Sequence, residues 1–188
     1  MTEQGKFDFM AEAVKTASPH FHTEKVNPSE LYYAMRQASR WLLIMDLMRK
    51  AIFYENREYD RHHMPEAKEL AFERSYPEGI SPHIIHSILG SAGEAGEKLD
   101  LLIRTFDGEP FDEVNFVEEV GDGMWFDAIG LEQIGQSVEG VQLTTIAKIR
   151  QRSGEAFDKD SFNTRDLFSE RKVLEAGVSK QHVSKDMP

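Results

Sequence analysis

Glu94 and Glu97 in Gly93-Glu94-Ala95-Gly96-Glu97, and Glu119 and Asp122 in Glu118-Glu119-Val120-Gly121-Asp122, form two acidic pairs, each spaced i, i+3. On a helix this spacing sets both side chains of a pair on one face, a turn apart. Like charges so placed repel weakly in water and more strongly where the face is buried. An acidic chain carries many such pairs on solvated surface, so the neighbouring positions decide. The Glu119/Asp122 stripe continues to Phe126 and Ile129. Glu94 and Glu97 share a stripe with Gly90 and Leu101 in a segment rich in Ile84, Ile85, Ile88, Leu89, Leu99 and Leu102. Both pairs are therefore expected to face the apolar side. Buried, unpaired carboxylates cost several kcal/mol each, and a divalent cation is the simplest compensation.

Oxygen ligands with no cysteine suit a hard ion, Mg2+ or Mn2+, which keeps waters and accepts substrate phosphate oxygens. The chemistry implied is metal-assisted phosphoryl transfer or hydrolysis. Phosphates also need cations, and Lys148 and Arg152, spaced i, i+4, can supply them from Ile146-Ala147-Lys148-Ile149-Arg150-Gln151-Arg152. Zinc chemistry fits poorly: His62-His63 lies in a charged stretch, and His83 and His86 are i, i+3 without the glutamate placement of a metalloprotease helix. His86 lies on the same helix as the first acidic pair and is a candidate polar group of the site. Gly90, Gly93 and Gly96 follow no strand and lack dinucleotide-loop spacing, so they are expected to admit a close helix. Trp41 and Trp125 are expected in the core or at a subunit interface.

Helices must position these groups, because helical periodicity dominates and strand alternation is absent. Asn27-Pro28-Ser29-Glu30 opens a long amphipathic helix to about Tyr54. A shorter helix is expected over Pro65 to Arg74, broken at Tyr76-Pro77-Glu78-Gly79. Ser81-Pro82 caps a helix over Ile84 to Ile103, and Asp107-Gly108-Glu109-Pro110 is a turn. Asp112 or Asn115 caps the next helix, running to about Ile134 before Gly135. Val138 to Arg152 restarts the pattern, and a polar, partly ordered extension covers 153–188. The reading is one all-α domain over 1–188, with a catalytic helical core at 81–152 and N-terminal helices over 1–80.

Composition narrows the function classes. The chain has 188 residues, with 22 Lys+Arg against 33 Asp+Glu for a net charge of −11, so a nucleic acid polymer is a disfavoured partner. Hydrophobic residues at 40% supply a core. Cys 0 removes disulfides and thiol nucleophiles, and a cytoplasmic location is expected. Residues 1–17 carry Glu3, Asp8 and Glu12 and no long apolar run, so export is not expected. The most apolar stretch, Trp41 to Met48, is interrupted by Asp46 and too short for a membrane span.

Glu94-x-x-Glu97, 21 intervening residues, Glu119-x-x-Asp122 and then Ile146-Ala147-Lys148-Ile149 resemble the MazG-like all-α nucleoside triphosphate pyrophosphohydrolases. The likeness extends over Ser87 to Glu97 and Val117 to Phe126, the family's two motif helices. It reaches Asn163-Thr164-Arg165-Asp166 and Glu170-Arg171-Lys172, covering about His86 to Glu175, with Phe9 to Ser18 similar to a leading helix. Thr145, Phe126 and Ser153-Gly154 depart from the family pattern, which bears on substrate preference more than on metal binding. The resemblance implies a helical bundle assembled as a homodimer or homotetramer, with the Met-rich helix around Met35 to Met48 as a face for that assembly.

It further implies hydrolysis of a (d)NTP to (d)NMP and pyrophosphate. Mg2+ or Mn2+ would sit on Glu94, Glu97, Glu119 and Asp122, with Glu94 taking the water's proton. Lys148 and Arg152 would hold phosphates, with Arg104 standing for the family's lysine after the first motif. Phage and bacterial relatives include enzymes acting on dGTP or dCTP, so the resemblance implies a deoxynucleotide, with dGTP or GTP as the candidates, and the host cytoplasm if the chain is phage-encoded. Two alternatives are a non-catalytic helical interaction module on the same scaffold and a phosphoribosyl-ATP pyrophosphohydrolase.

Overall fold

The computed structural model describes residues 7–19, 22–55 and 78–185. Among these residues every regular element is helical and there is no strand, as the periodicity predicts. The helix expected over Pro65 to Arg74 and the His62-His63 stretch lie outside the described residues. Two compact units result, residues 23–133 and residues 1–22 with 134–188. The boundary falls within the 81–152 stretch that the sequence reads as one catalytic core of a single domain.

The 23–133 unit holds three long helices, α2 (Pro28–Tyr54), α3 (Pro82–Phe106) and α4 (Glu113–Gln133), with α3 packed against both others. Local chemistry sets their starts. The Asn27 side chain accepts from the Ser29 N–H at 2.8 Å, and Ser81 Oγ accepts from the His83 N–H at 3.2 Å; each cap is followed by a first-turn proline. Asp112, not Asn115, caps α4, accepting from the Asn115 N–H at 3.1 Å.

The α3 glycines let its neighbours close in. A Cβ on Gly96 would lie 2.8 Å from the Leu42 Cβ of α2, and one on Gly90 would run into the Phe126 ring of α4. Both approaches are closer than van der Waals contact, so a side chain there must push a helix away. Gly96→Ala should therefore cost about 1–3 kcal/mol of stability through overpacking, read from a urea unfolding midpoint.

Polar groups are buried between α2 and its neighbours. Arg49, 3% exposed, donates from Nε and Nη2 to Asp46 Oδ1 at 2.9 and 2.6 Å, and lies 4.7 Å above the Phe126 ring. Buried charges persist only when paired and hydrogen-bonded, and Asp46, also buried, further accepts from Lys50 at 2.7 Å. Met35 is buried, while Met45 and Met48 are half-buried, so the face expected to serve assembly is partly covered within its own chain. Val114, Val117, Met124 and Trp125 of α4 are exposed. Neither tryptophan is a core residue, with Trp41 38% and Trp125 54% exposed.

The other unit contains α1 (Phe9–Lys15), α5 (Val138–Ser153), α6 (Lys159–Asn163) and α7 (Leu167–Lys185), with α5 packed along α7. The extension beyond Ser153 is thus more helical than its polar composition predicts. A buried ion cluster explains why: Glu170 of α7 accepts from Arg152 of α5 at 2.7 and 2.9 Å and from Arg165 at 2.6 Å. The two guanidiniums hold the Glu170 carboxyl down at about 2. Among the described residues no helix is long and apolar enough to cross a membrane.

Candidate metal centre

Three of the four acids singled out by spacing come together. Glu94 and Glu97 project from successive turns of α3 and Glu119 from α4, with one carboxylate oxygen of each lying within 4.8 Å of the others. Glu94 and Glu119 are buried and Glu97 is half-buried. Asp122, a turn further along α4, is exposed and outside this trio, although its charge raises the Glu94 pKa. The inward stripe read from Glu119 through Asp122 to Phe126 is therefore buried at both ends and open at Asp122.

Each carboxyl of the trio binds its proton more tightly than an isolated glutamate. Burial, then a hydrogen bond to Glu94 and its negative charge, push the Glu119 carboxyl up to about 7. Glu97 is raised by burial and by the charge of Glu119, and its carboxyl donates to Glu119. Glu94 is also raised, by burial first, while accepting the Glu119 hydrogen bond draws it back. Three carboxyls whose proton affinity is raised by burial and by one another's charge form a set of hard oxygen donors short of positive charge. That donor chemistry fits Mg2+ or Mn2+, whose binding would displace protons.

Nearby cations are few. Lys98 donates to the main-chain oxygen of Glu119 at 3.2 Å, not to a carboxylate of the trio. Lys50 is bound to Asp46, and its charge lowers the Glu97 pKa. Sequence reading missed the α2 contribution, Asp46, Arg49 and Lys50. The legible signal was an aspartate breaking the apolar run Trp41 to Met48 with cations at i+3 and i+4, which the reading used only against a membrane span.

The other residues singled out fall in three places. Arg104 is exposed, pairs with Glu109 at 2.7 Å, and with Glu97 and Glu119 lines a cavity of about 250 Å³. His86 lies inside the helical packing: its ring stacks on Phe53 at 4.3 Å, and its Nε2 lies 3.2 Å from Arg49 Nη1 and 3.0 Å from the Tyr54 hydroxyl. Because Arg49 can only donate, that nitrogen accepts and the ring is neutral, in keeping with a pKa lowered by burial, Arg49 and His83. Lys148 and Arg152 belong to the other unit, where Arg152 is committed to Glu170.

Comparison of the chain with protein-family models, curated proteins and solved structures finds no match.

Proposed function

We propose that this chain is a divalent-metal-dependent nucleoside triphosphate pyrophosphohydrolase, converting a (d)NTP to (d)NMP and pyrophosphate. One observation carries the reading: the carboxylates of Glu94, Glu97 and Glu119 converge within 4.8 Å with no basic side chain bound to them among the described contacts. The motif order resembling MazG-like enzymes supplies the reaction. Glu94, Glu97 and Glu119 would hold the metal, with Asp122 completing the set from the exposed side. A bound Mg2+ or Mn2+ supplies Lewis acidity toward phosphoryl oxygens and lowers the pKa of a water ligand. Glu94, whose affinity for a proton is raised by burial, suits acceptance of the proton from the attacking water.

Arg104, which lines a cavity together with Glu97 and Glu119, is a phosphate cation available within the same unit. Lys148 remains a candidate for the β and γ phosphates, whereas Arg152 could serve only by giving up Glu170. Assembly as a homodimer is part of the proposal, and the exposed apolar residues of α4 are a better face for it than the part-buried methionines of α2.

The test is incubation with each of the eight canonical NTPs and dNTPs, with Mg2+ and with EDTA, followed by chromatography of the products. Metal-dependent monophosphate plus pyrophosphate is expected. Diphosphate plus phosphate would refute the bond assignment, and turnover in EDTA would refute the metal.

A further inference from the structure

Two cations of α2 share one carboxylate. The buried Asp46 side chain accepts from Arg49 on Oδ1, at 2.9 and 2.6 Å, and pairs with Lys50 on Oδ2 at 2.7 Å. Arg49 alone balances the charge of Asp46, so the positive charge of Lys50 is surplus to the pair. The two cations also differ in reach. The Arg49 side chain is 4% exposed and lies against the Phe126 ring, whereas that of Lys50 is 37% exposed. An ammonium carries three donors, of which Asp46 takes one.

The α3 glycines fix where this surplus charge sits. A Cβ on Gly93 would lie 2.9 Å from Asp46 Oδ1, and one on Gly96 2.8 Å from the Leu42 Cβ. The two helices therefore run antiparallel and cross at the turns of α3 that carry Glu94 and Glu97. Helical side chains lean toward the N-terminus of their own helix, which folds Lys50 back over Asp46 and Glu97 back toward Gly93. Leu43, a turn before Asp46, lines the same cavity as Glu97 and Glu119. The charges act on each other accordingly: Asp46 and then Glu97 hold Lys50 more firmly protonated, and Lys50 draws Glu97 down against its burial. Of the other cations near the trio, Lys98 donates to the main-chain oxygen of Glu119 and Arg104 pairs with Glu109.

Even with a divalent ion in place, three carboxylates keep a net negative charge, so an approaching phosphoryl group needs a further cation. A compact ammonium at the edge of such a site stabilises both the anion and the charge that grows on it in the transition state.

We infer that Lys50 binds a phosphoryl oxygen of the substrate beside the carboxylate trio, a contact supplied by α2, with Asp46 as the positioning residue that holds the ammonium there. The inference rests on the pyrophosphohydrolase reading of the trio and adds to it a catalytic residue.

The experiment compares wild type, Lys50→Gln and Lys50→Arg in three measurements: calorimetry with Mn2+ alone, calorimetry with inorganic pyrophosphate at saturating Mn2+, and kcat and KM for the nucleotide that wild type turns over best. Lys50→Gln should bind Mn2+ at least as tightly as wild type, because a charge that repels the ion is gone. The same variant should bind pyrophosphate at least about tenfold more weakly, as for a lost hydrogen bond between charged groups. Its kcat should fall about a hundredfold. Lys50→Arg should regain part of both losses, since it keeps the charge but not the compact ammonium. Opposite changes in cation and anion affinity distinguish an anion contact from a structural role. Wild-type pyrophosphate binding and turnover in Lys50→Gln would overturn the inference. So would a parallel loss of Mn2+ and pyrophosphate affinity, which would make Lys50 a prop for the acids. Wild type that binds no Mn2+ and releases no pyrophosphate from any nucleotide would remove the underlying reading, and this inference with it.

Discussion

Glu119→Gln is expected to abolish metal-dependent turnover, by about a thousandfold or more, while making the metal-free protein more stable at pH 8. On the proposed metal reading, the first effect follows from removing the charge of one of the four proposed ligands, because metal assistance is worth several kcal/mol of barrier and each 1.36 kcal/mol is tenfold in rate. The second follows from linkage. Glu119 ordinarily titrates near 4.5 and is pushed up to about 7 in the fold. Between those values the folded chain binds more protons than the unfolded one, so this group's contribution to stability falls as pH rises through the window. A glutamine carries no charge to desolvate and can still donate to Glu94.

Thermal unfolding in EDTA at pH 8 should therefore show the variant melting above wild type, and addition of Mn2+ should reverse the order, since only wild type gains binding free energy. Wild-type turnover by the variant, or equal Mn2+ stabilisation of both proteins, would dismiss the trio as a metal centre. A variant that is inactive and also less stable without metal would show the cluster to be a structural network.

Removing Glu170 should have the largest effect on stability and the opposite pH signature. Its side chain is 4% exposed and holds the largely buried Arg152 and the half-exposed Arg165 together, so Glu170→Ala leaves the Arg152 guanidinium largely buried without its carboxylate. Breaking one partner of a buried ion cluster is strongly destabilising, and a fall in unfolding midpoint on the order of 10 °C is expected. The Glu170 carboxyl sits at about 2 against an ordinary value of 4.5. The unfolded chain therefore binds the proton first on acidification. The stabilisation is present above about 4.5 and is lost as pH falls toward 2. Stability curves of wild type and variant should converge across that range; parallel, separated curves would show that Glu170 stabilises without a lowered pKa, and coincident ones that the cluster contributes nothing.

The same cluster explains a limit of reading the chain without its fold. Arg152 and Glu170 are far apart in sequence, and nothing local in Leu167 to Lys185 marks a buried face. The segment reads as a polar extension until α5 is laid against it. Arg152 likewise reads as a free phosphate cation until its partner is known. His86 moves from a candidate nucleotide contact to an acceptor inside an aromatic cluster for the same reason, as its neighbours Arg49, Phe53 and Tyr54 come from another helix.

What the sequence determined by itself is what short-range chemistry controls. Caps at Asn27, Ser81 and Asp112 bond amides two or three residues away, prolines fit only the first turn, and i, i+3 spacing places Glu94 with Glu97 whatever surrounds them. These interactions close within one turn of chain, so helix starts and acidic stripes were legible. Tertiary structure alone decided that Glu119 joins the α3 pair while Asp122 stays exposed, and that α2 contributes Asp46 and Lys50 close enough for their charges to act on Glu97. It also decided that the glycines of α3 are contact points for two different helices. Those outcomes depend on the rotation and separation of packed helices, which are set by the summed fit of many side chains and by no single spacing in the chain.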